Sequence, residues 1–426
     1  VRVLVVGSGG REHALAWKIA SSDAVEALHA VPGSDAMQGL ATCHPDVKAM
    51  DLDAIVALAR SEASDLVVVG PEDPLAAGLS DRLREAGIAV FGPSAAAAQL
   101  EASKAFAKEF MARHAIPTAD FRVFEDFDAA RAHVLALDGV CVVKADGLAA
   151  GKGVAVCGEP EGAVAALTEM MRDRRFGEAG ARVVIEERLE GEEASYYAIT
   201  DGTRVTTLAA AQDHKRALDG DRGENTGGMG AVAPAPVVTE AVEKRLLEEV
   251  VHPAIAGMAA DGTPYTGVLY VGLMIDRTGA PRVVEFNVRF GDPETQPLML
   301  GLDGDLVPLL HGAATGGLGN ATPVGFRGTA VCVVLASDGY PRSYPTGRAI
   351  SGLAAAADQP GVEVFHAGTR RAANGGFETA GGRVLGVTAR GENIEEARRR
   401  AYAACDEIHF EGMHLRRDIA ERVLAG

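Results

Sequence analysis

Within the first hundred residues, short and wholly apolar runs alternate with helix-like segments. That alternation constrains the fold more than any other feature of the chain. "VRVLVVG" (1–7), "DLVVVG" (65–70) and "IAVFG" (88–92) have the length of strands rather than helices. A strand covered on both faces reads as an unbroken apolar run, which is the pattern of a parallel sheet between two helical layers. "REHALAWKIA" (11–20) and "LAAGLSDRLREAG" (75–87) supply the helix-like segments. Residues 1–103 are therefore expected to form a doubly wound parallel sheet. The "GPEDP" loop (70–74) closes a strand at the edge where such sheets hold ligands.

The pattern changes at Ser103. "SKAFAKEFMARHAI" (103–116) reads as a helix stopped by Pro117. "GVCVVKADG" (139–147) and "GVAVCG" (153–158) read as two strands joined by the glycine-rich "LAAGK" (148–152). "ARVVIEERLEG" (181–191) is a strand running into an acidic bend. "TGVLYVGLMIDRTGAPRVVEFNVRF" (266–290) reads as an antiparallel hairpin about the turn "DRTGAP". From about residue 327 a third unit begins, with strands at "GTAVCVVLAS", "VEVFHAGT" and "RVLGVTA" and a helix at "NIEEARRRAYAACDEI". At 426 residues, a prior of roughly 100–200 residues per domain also gives about three units.

The net charge is −18. Bulk charge of that sign opposes binding to nucleic acid or to an anionic membrane, so a phosphate ligand has to be held by local amides, single cations or metal. The five cysteines are widely spaced and no CxxC occurs, so the sequence indicates neither a zinc site nor a disulfide framework. Buried free thiols, a start directly in a strand and no run long enough to span a bilayer lead to the expectation of a cytoplasmic protein.

The chemistry is densest in "VVEFNVRFGDPETQP" (283–297). Strand side chains alternate between faces. Val284, Phe286, Val288 and Phe290 are thus expected on an apolar face, with Glu285, Asn287 and Arg289 on the other. Glu285 and Asn287 offer the oxygens that Mg²⁺ prefers. Arg289 suits a planar anion.

"VVKADGLAAGKGVAV" (142–156) is not a Walker A motif, because its glycines are misplaced for one and a strand follows the loop. A flap with Gly147, Gly151 and Gly153 between two strands can instead cover a triphosphate, with Lys144 facing it. Glu186, Glu187 and Glu193 surround a strand end, where backbone groups can pair with an adenine edge and a carboxylate with ribose; a solvated acidic turn fits them equally. "VGSGGREH" (6–13) lacks the third glycine of the dinucleotide fingerprint, yet its helix start can still hold a phosphate through Gly9 and Gly10. The polar stretch from "QDHKR" (212–216) to "NTGGMGAVAP" (225–234) is long for a plain loop, and His214 within it reads as surface.

Taken in order, "GGREHALAW", "GPEDPL", "SKAF", "KADGLAAGKGV", "EGEEAS", "QDHKR", "NTGGMGA" and "RFGDPETQP" resemble the ATP-grasp superfamily, and within it the glycinamide ribonucleotide synthetase (phosphoribosylamine–glycine ligase) family. The resemblance covers essentially the whole chain. It implies an α/β protein with an N-terminal doubly wound (pre-ATP-grasp) domain at 1–103 and an ATP-grasp core at 104–120 and 188–326. A mobile small lobe at 121–187 and a small C-terminal α/β domain at 327–426 complete it. It implies ATP-dependent ligation of glycine to 5-phosphoribosylamine through a glycyl phosphate, with Mg²⁺ or Mn²⁺, in a monomer or weak homodimer without nucleic-acid or membrane partners.

By resemblance, Glu285 and Asn287 ligate the metal, and Lys104 and Lys144 contact the phosphates. Residues 186–189, including Leu189, line the adenine, and Glu193 meets the ribose. Arg289 lies by the glycine carboxylate or the transferred phosphoryl group. Gly9, Gly10, Glu72 and Asp73 receive the phosphoribosylamine, and Asp213 and Asp292 meet its ribose or the glycine amine. One departure is Met274, where many ATP-grasp enzymes place a further acidic metal ligand. An ATP-grasp ligase of another acid or amine is the near alternative. A nicotinamide oxidoreductase, suggested only by the first glycine loop, is the distant one.

Overall fold

The computed structural model describes residues 1–148 and 153–424. The N-terminal unit is built from β1 (Arg2–Gly7), α1 (Gly10–Ala20), β2 (Ala27–Pro32), β3 (Thr42–Cys43), α2 (Leu52–Ser61), β4 (Leu66–Val69), α3 (Glu72–Ala76), α4 (Leu79–Glu85) and β5 (Ala89–Phe91). All pairings are parallel and the order is β3-β2-β1-β4-β5. Leu4, Val6, Val67 and Val69 pack under α2 and α4, while Val3, Val5, Leu66 and Val68 pack under α1. Burial on both faces is what the unbroken apolar runs encode. The chain winds one way from β1 and the other way from β4, so the crevice between their carboxyl ends is the switch point where ligands bind in such sheets. Gly9 and Gly10 follow β1 there, and Glu72 follows β4.

Two sequence expectations fail locally. "GPEDP" is not a loop: the chain turns helical at Glu72, with Pro71 as N-cap. The long helix expected at 75–87 is broken at Gly78, whose φ of +92° is left-handed and ends one turn before α4 starts.

α5 (Gln99–Ala102) and α6 (Lys104–Arg113) lead into the small lobe. Ser103 caps α6 by accepting from the Phe106 amide. The lobe comprises β6 (Phe121–Phe124), α7 (Phe127–Ala136), β7 (Val140–Ala145), β8 (Val154–Gly158), α8 (Pro160–Leu167) and β9 (Val183–Glu186). Its antiparallel sheet runs β6-β9-β7-β8, and Val143, Ala145 and Ile185 pack against Ala130, Val134 and Ala163 of the two helices. The core sheet follows, with β10 (Glu192–Thr200) and β11 (Val205–Thr207). Next come β12 (Gln212–Asp213), the ribbon β13 (Arg216–Leu218) and β14 (Arg222–Asn225), and β15 (Gly230–Ala233). The hairpin β16 (Gly267–Ile275) and β17 (Pro281–Asn287) completes a core sheet ordered β11-β10-β16-β17.

The C-terminal sheet contains strands Thr329–Ser337, Arg383–Gly391 and Val362–His366, with helix Ile394–Glu407 packed on it. Its other edge is β15 and then β12. The two ends of the polar stretch 212–234 thus belong to this sheet, with the β13–β14 ribbon separate between them, and residue 327 divides the sequence without dividing the sheet.

Candidate active site

One cleft of about 600 Å³ lies between the small lobe and the core sheet and reaches the N-terminal crevice. That volume is in the range of small-molecule sites. β17 forms its floor, but not with the simple alternation expected. The register with β16 slips between Gly272 and Leu273, leaving Val284 opposite no residue. Such a bulge inserts one residue and re-aims its neighbours. Val283 therefore takes the core position with Phe286 and Val288, while Val284 turns to the cleft beside Glu285. Phe290 is also buried, but in the second core cluster. Glu285, Asn287 and Arg289 do share the cleft side.

Lys104 and Lys144 converge on this floor. Lys104 begins α6 and donates to Gly147 O at 3.0 Å. Lys144, on β7, donates to the bulged Val284 O at 3.0 Å and pairs with Glu186. Burial lowers the Lys104 pKa, with Glu285 opposing it. Burial also works against Glu285, but Lys215, Lys144, Lys104 and Arg289 outweigh it and hold this carboxyl below the usual range. Asn287 is buried next to it. Met274 lines the same cleft, directly opposite Glu193 in the β10–β16 pairing.

The flap is anchored at its base. Asp146 accepts from Ser103 Oγ and the Ala105 amide, each at 3.0 Å, and pairs with Arg182. Gly147 has φ +149°, and a Cβ there would lie 2.6 Å from that of Ala179. Gly147 and Gly153 line the cleft. Gly151 lies outside the described residues.

The residues expected at the nucleotide edge all line the cleft. Leu189, Glu187 and Glu186 line the cleft together with Val142, Met111 and Val156. The Glu186 carboxylate is held between Lys108 and Lys144. Glu187 holds Arg282 at 2.8 Å. Glu193 pairs with Lys215 at 3.0 Å, which holds its carboxyl below the usual range.

Arg289 is held by carboxylates. Its Nε donates to Glu72 at 3.1 Å and its Nη2 lies 2.8 Å from Glu101. Glu101 also accepts from the Val288 amide at 2.7 Å. Burial pushes the Glu101 carboxyl up to about 7, with Arg289 opposing. Burial likewise acts against Glu72, but Arg289 and Arg11 outweigh it and keep it low.

At the N-terminal end, Asp292 accepts from Gln296 at 2.9 Å and lies 3.5 Å from Arg383. A Cβ on Gly9 would lie 2.9 Å from the Glu12 carboxylate and one on Gly10 2.8 Å from Gln296 Nε2, so the glycines make room for those side chains, while the Asp292 carboxylate lies at ordinary contact distance from both positions. The Gly9 amide is not open to a phosphate, because Glu12 accepts from it at 2.7 Å. Asp73 is exposed and does not line the cleft, since the early start of α3 turns it outward. Asp213 lines the cleft beside Glu193, Glu285 and Glu294, and burial pushes its carboxyl up. Glu294 accepts from Tyr270 at 2.8 Å and Ser195 at 3.1 Å.

Sequence reasoning missed Glu101, Lys108, Asp146, Lys215, Glu294 and Arg383. Asp146, Lys215 and Glu294 stand inside "KADGLAAGKGV", "QDHKR" and "RFGDPETQP", and a charge beside the named residues of those motifs was the available signal. Lys108 is a lysine on the buried side of α6. His214, read as surface, is buried, and its Nε2 accepts from the Ala420 amide at 3.1 Å.

Comparison with known proteins matches residues 1–101, 102–295 and 330–422 to the N, ATP-grasp (A) and C domains of phosphoribosylglycinamide synthetase. The phosphoribosylamine–glycine ligase of Xylella fastidiosa (strain 9a5c) is 51% identical over 425 residues, covering 100% of this chain and 97% of the relative. That of Caulobacter vibrioides is 53% identical over 423 residues, covering 99% and 98%. The crystal structure of the phosphoribosylamine–glycine ligase of Thermotoga maritima superposes with a TM-score of 0.85 at 35% identity, covering 99% of this chain and 100% of that one. A biotin carboxylase from Campylobacter jejuni shares the fold, with a TM-score of 0.73 at 15% identity over 97% and 93% of the two chains.

Proposed function

The chain belongs to the phosphoribosylglycinamide synthetase family, and from that premise we propose which of its residues carry the reaction. It is an ATP-dependent ligase that joins glycine to 5-phosphoribosylamine in de novo purine biosynthesis, giving glycinamide ribonucleotide, ADP and phosphate.

A glycine carboxylate is a poor electrophile. Its oxygen attacks the γ-phosphorus of ATP, ADP leaves, and a glycyl phosphate results. The phosphoribosylamine nitrogen then attacks the acyl carbon, loses a proton, and phosphate departs. Positioning and charge neutralisation carry such a transfer. Lys104 and Lys144 hold the phosphates, with Gly147 and Gly153 lining the cleft beside them. The apolar wall of Val142, Met111, Val156 and Leu189 takes the adenine, and Glu193 takes the ribose. Arg289 faces the carboxylate and the transferred group. Asp213, in its acidic surroundings, takes the glycine ammonium. Asp292, with Arg383, Gly9 and Gly10, takes the phosphoribosylamine at the end of the cleft that Glu72 also borders.

Glu285 and Asn287 fit Mg²⁺ or Mn²⁺, because both donors are oxygen and Glu285 stays ionised. Among the described residues Glu285 belongs to no group of three or more converging carboxylate, histidine or cysteine donors, so nucleotide oxygens and water would complete the shell. When bound, the ion neutralises phosphate charge. The net charge of −18 supports small-molecule partners without nucleic acid or membrane, and among the described residues no helix is long and apolar enough to cross a membrane. We place the enzyme in the cytoplasm, as a monomer or weak homodimer.

The convergence of Lys104, Lys144, Glu285, Asn287 and Arg289 on one cleft carries these roles. The test supplies ATP, Mg²⁺, glycine, and phosphoribosylamine made in place from ribose 5-phosphate and ammonia, with product read by mass spectrometry. Glycine-dependent glycinamide ribonucleotide with matching ADP is expected from wild type and not from Lys144→Ala. Full product from that variant would remove Lys144 from the phosphate site.

A further inference from the structure

His29, His44 and Glu62 meet on the α2 side of the N-terminal sheet, and none of them lines the cleft. His29 is the third residue of β2 and pairs in register with Thr42 of β3. His44 lies two residues beyond Thr42, its amide donating to Ala30 O at 2.9 Å. Side chains two apart on an extended chain share a face, so both imidazoles project from the same one. α2 crosses that face, and Glu62, its C-cap residue, comes down beside them. His29 Nδ1 is 3.0 Å from His44 Nε2, and His29 Nε2 is 3.6 Å from Glu62 Oε2. One donor atom from each residue lies within 4.8 Å of the other two.

We propose that His29, His44 and Glu62 bind a zinc-type divalent ion, separate from the magnesium of the reaction. Two imidazoles and one carboxylate, with water in a fourth position, form a common donor set for Zn²⁺. The 3.0 Å and 3.6 Å contacts use different nitrogens of His29 and an ion takes only one, so binding turns the rings until one donor of each residue, now within 4.8 Å of the others, reaches the roughly 3.3 Å spacing of tetrahedral ligands about 2.0–2.1 Å from the ion. Imidazole ligates as the neutral ring, and burial lowers the proton affinity of His29 while Glu62 opposes that effect. Glu62 also sits at the C-terminal end of α2, where the helix field disfavours a second negative charge and favours a cation. Mg²⁺ prefers oxygen donors, so the two sites select different ions. The ligands come from β2, the turn after β3 and the end of α2, so a bound ion ties the edge of the sheet to its covering helix. An ion that binds only the folded state stabilises it. No CxxC marks this site, because sheet pairing rather than a local motif brings the histidines together.

The test uses the full chain, stripped of metal and kept in excess Mg²⁺ so that the cleft is not left open to zinc. Zn²⁺ is titrated against a chromophoric chelator with wild type, His44→Gln and Glu62→Gln. Wild type is expected to take one equivalent tightly, and each variant to bind at least about tenfold more weakly. Co²⁺ in wild type is expected to give the visible absorption of a four-coordinate ion, lost in His44→Gln. Unchanged Mg²⁺-dependent ligase activity identifies each variant as folded. If wild type takes up no stoichiometric Zn²⁺, or if both variants match its affinity and Co²⁺ spectrum, the site does not exist.

Discussion

Glu101→Gln is the sharpest test of the electrostatics beneath the site. Glu101 is buried on α5, contacts Arg289 Nη2 at 2.8 Å and accepts from the Val288 amide at 2.7 Å. Its carboxyl titrates at about 7 in the folded protein against an ordinary 4.5. Between those values the folded chain binds more protons than the unfolded one, so stability falls as pH rises through the window. At about 1.4 kcal/mol per pH unit, the ionised side chain costs about 3 kcal/mol by pH 8. Glutamine keeps the shape without the charge. It has one oxygen for two donors, so one hydrogen bond is lost, at about 1 kcal/mol. The variant should therefore be more stable than wild type by about 2 kcal/mol at pH 8, and slightly less stable at pH 4.5. For a cooperative unit of 150–250 residues that is a rise in Tm of roughly 4–8 °C at pH 8. Differential scanning calorimetry of both proteins from pH 5 to 8 measures the difference and cancels every other titrating group. A variant less stable at pH 8, or a difference that does not grow with pH, would refute the reasoning. Activity should move the other way, with kcat down roughly 10- to 100-fold as Arg289 loses a fixed partner.

Arg289→Ala should lower kcat on the order of 100-fold or more, because a preorganised charge at the reacting group is lost; turnover near wild type would remove it from the site. Glu285→Gln should raise the Mg²⁺ concentration needed for half-maximal rate more than it raises the KM for glycine, and equal changes in both would argue against ligation. ATP with Mg²⁺ should slow hydrogen exchange in β7 and β8, the strands on either side of the flap, and identical protection with and without nucleotide would refute closure of the small lobe.

The N-terminal sheet was legible because strands covered on both faces leave unbroken apolar runs, and its switch point follows from strand order alone. The polar face of β17 was legible because three unlike polar groups recur with period two. Its error at Val284 is a bulge, and an extra residue leaves no mark in an alternating pattern. Gly78 broke a helix whose apolar spacing was sound, because only the backbone conformation carries that signal. Glu101 was invisible for another reason: the amide it meets is 187 residues away, and a lone acid in a short helix reads as surface. His29 and His44 were hidden in the same way, by a pairing that only the folded sheet makes.

The same pairings explain how a chain with a net charge of −18 can hold a triphosphate. Unpaired ions are too costly to bury, so of the cations proposed to meet substrate only Lys104, which donates to the Gly147 carbonyl, lacks a carboxylate partner among the described residues. Lys144 has Glu186, Arg289 has Glu72 and Glu101, and Arg383 has Asp292. An arriving phosphate or carboxylate therefore exchanges partners with a preformed pair and does not neutralise a bare charge. The gain from each contact is the difference between two ion pairs, which keeps ground-state binding modest. The full attraction develops only where substrate charge builds up during transfer. Arg289, fixed from two sides before substrate arrives, is positioned to discriminate in that way, and Glu101, ionising near neutrality, sets how firmly it is fixed.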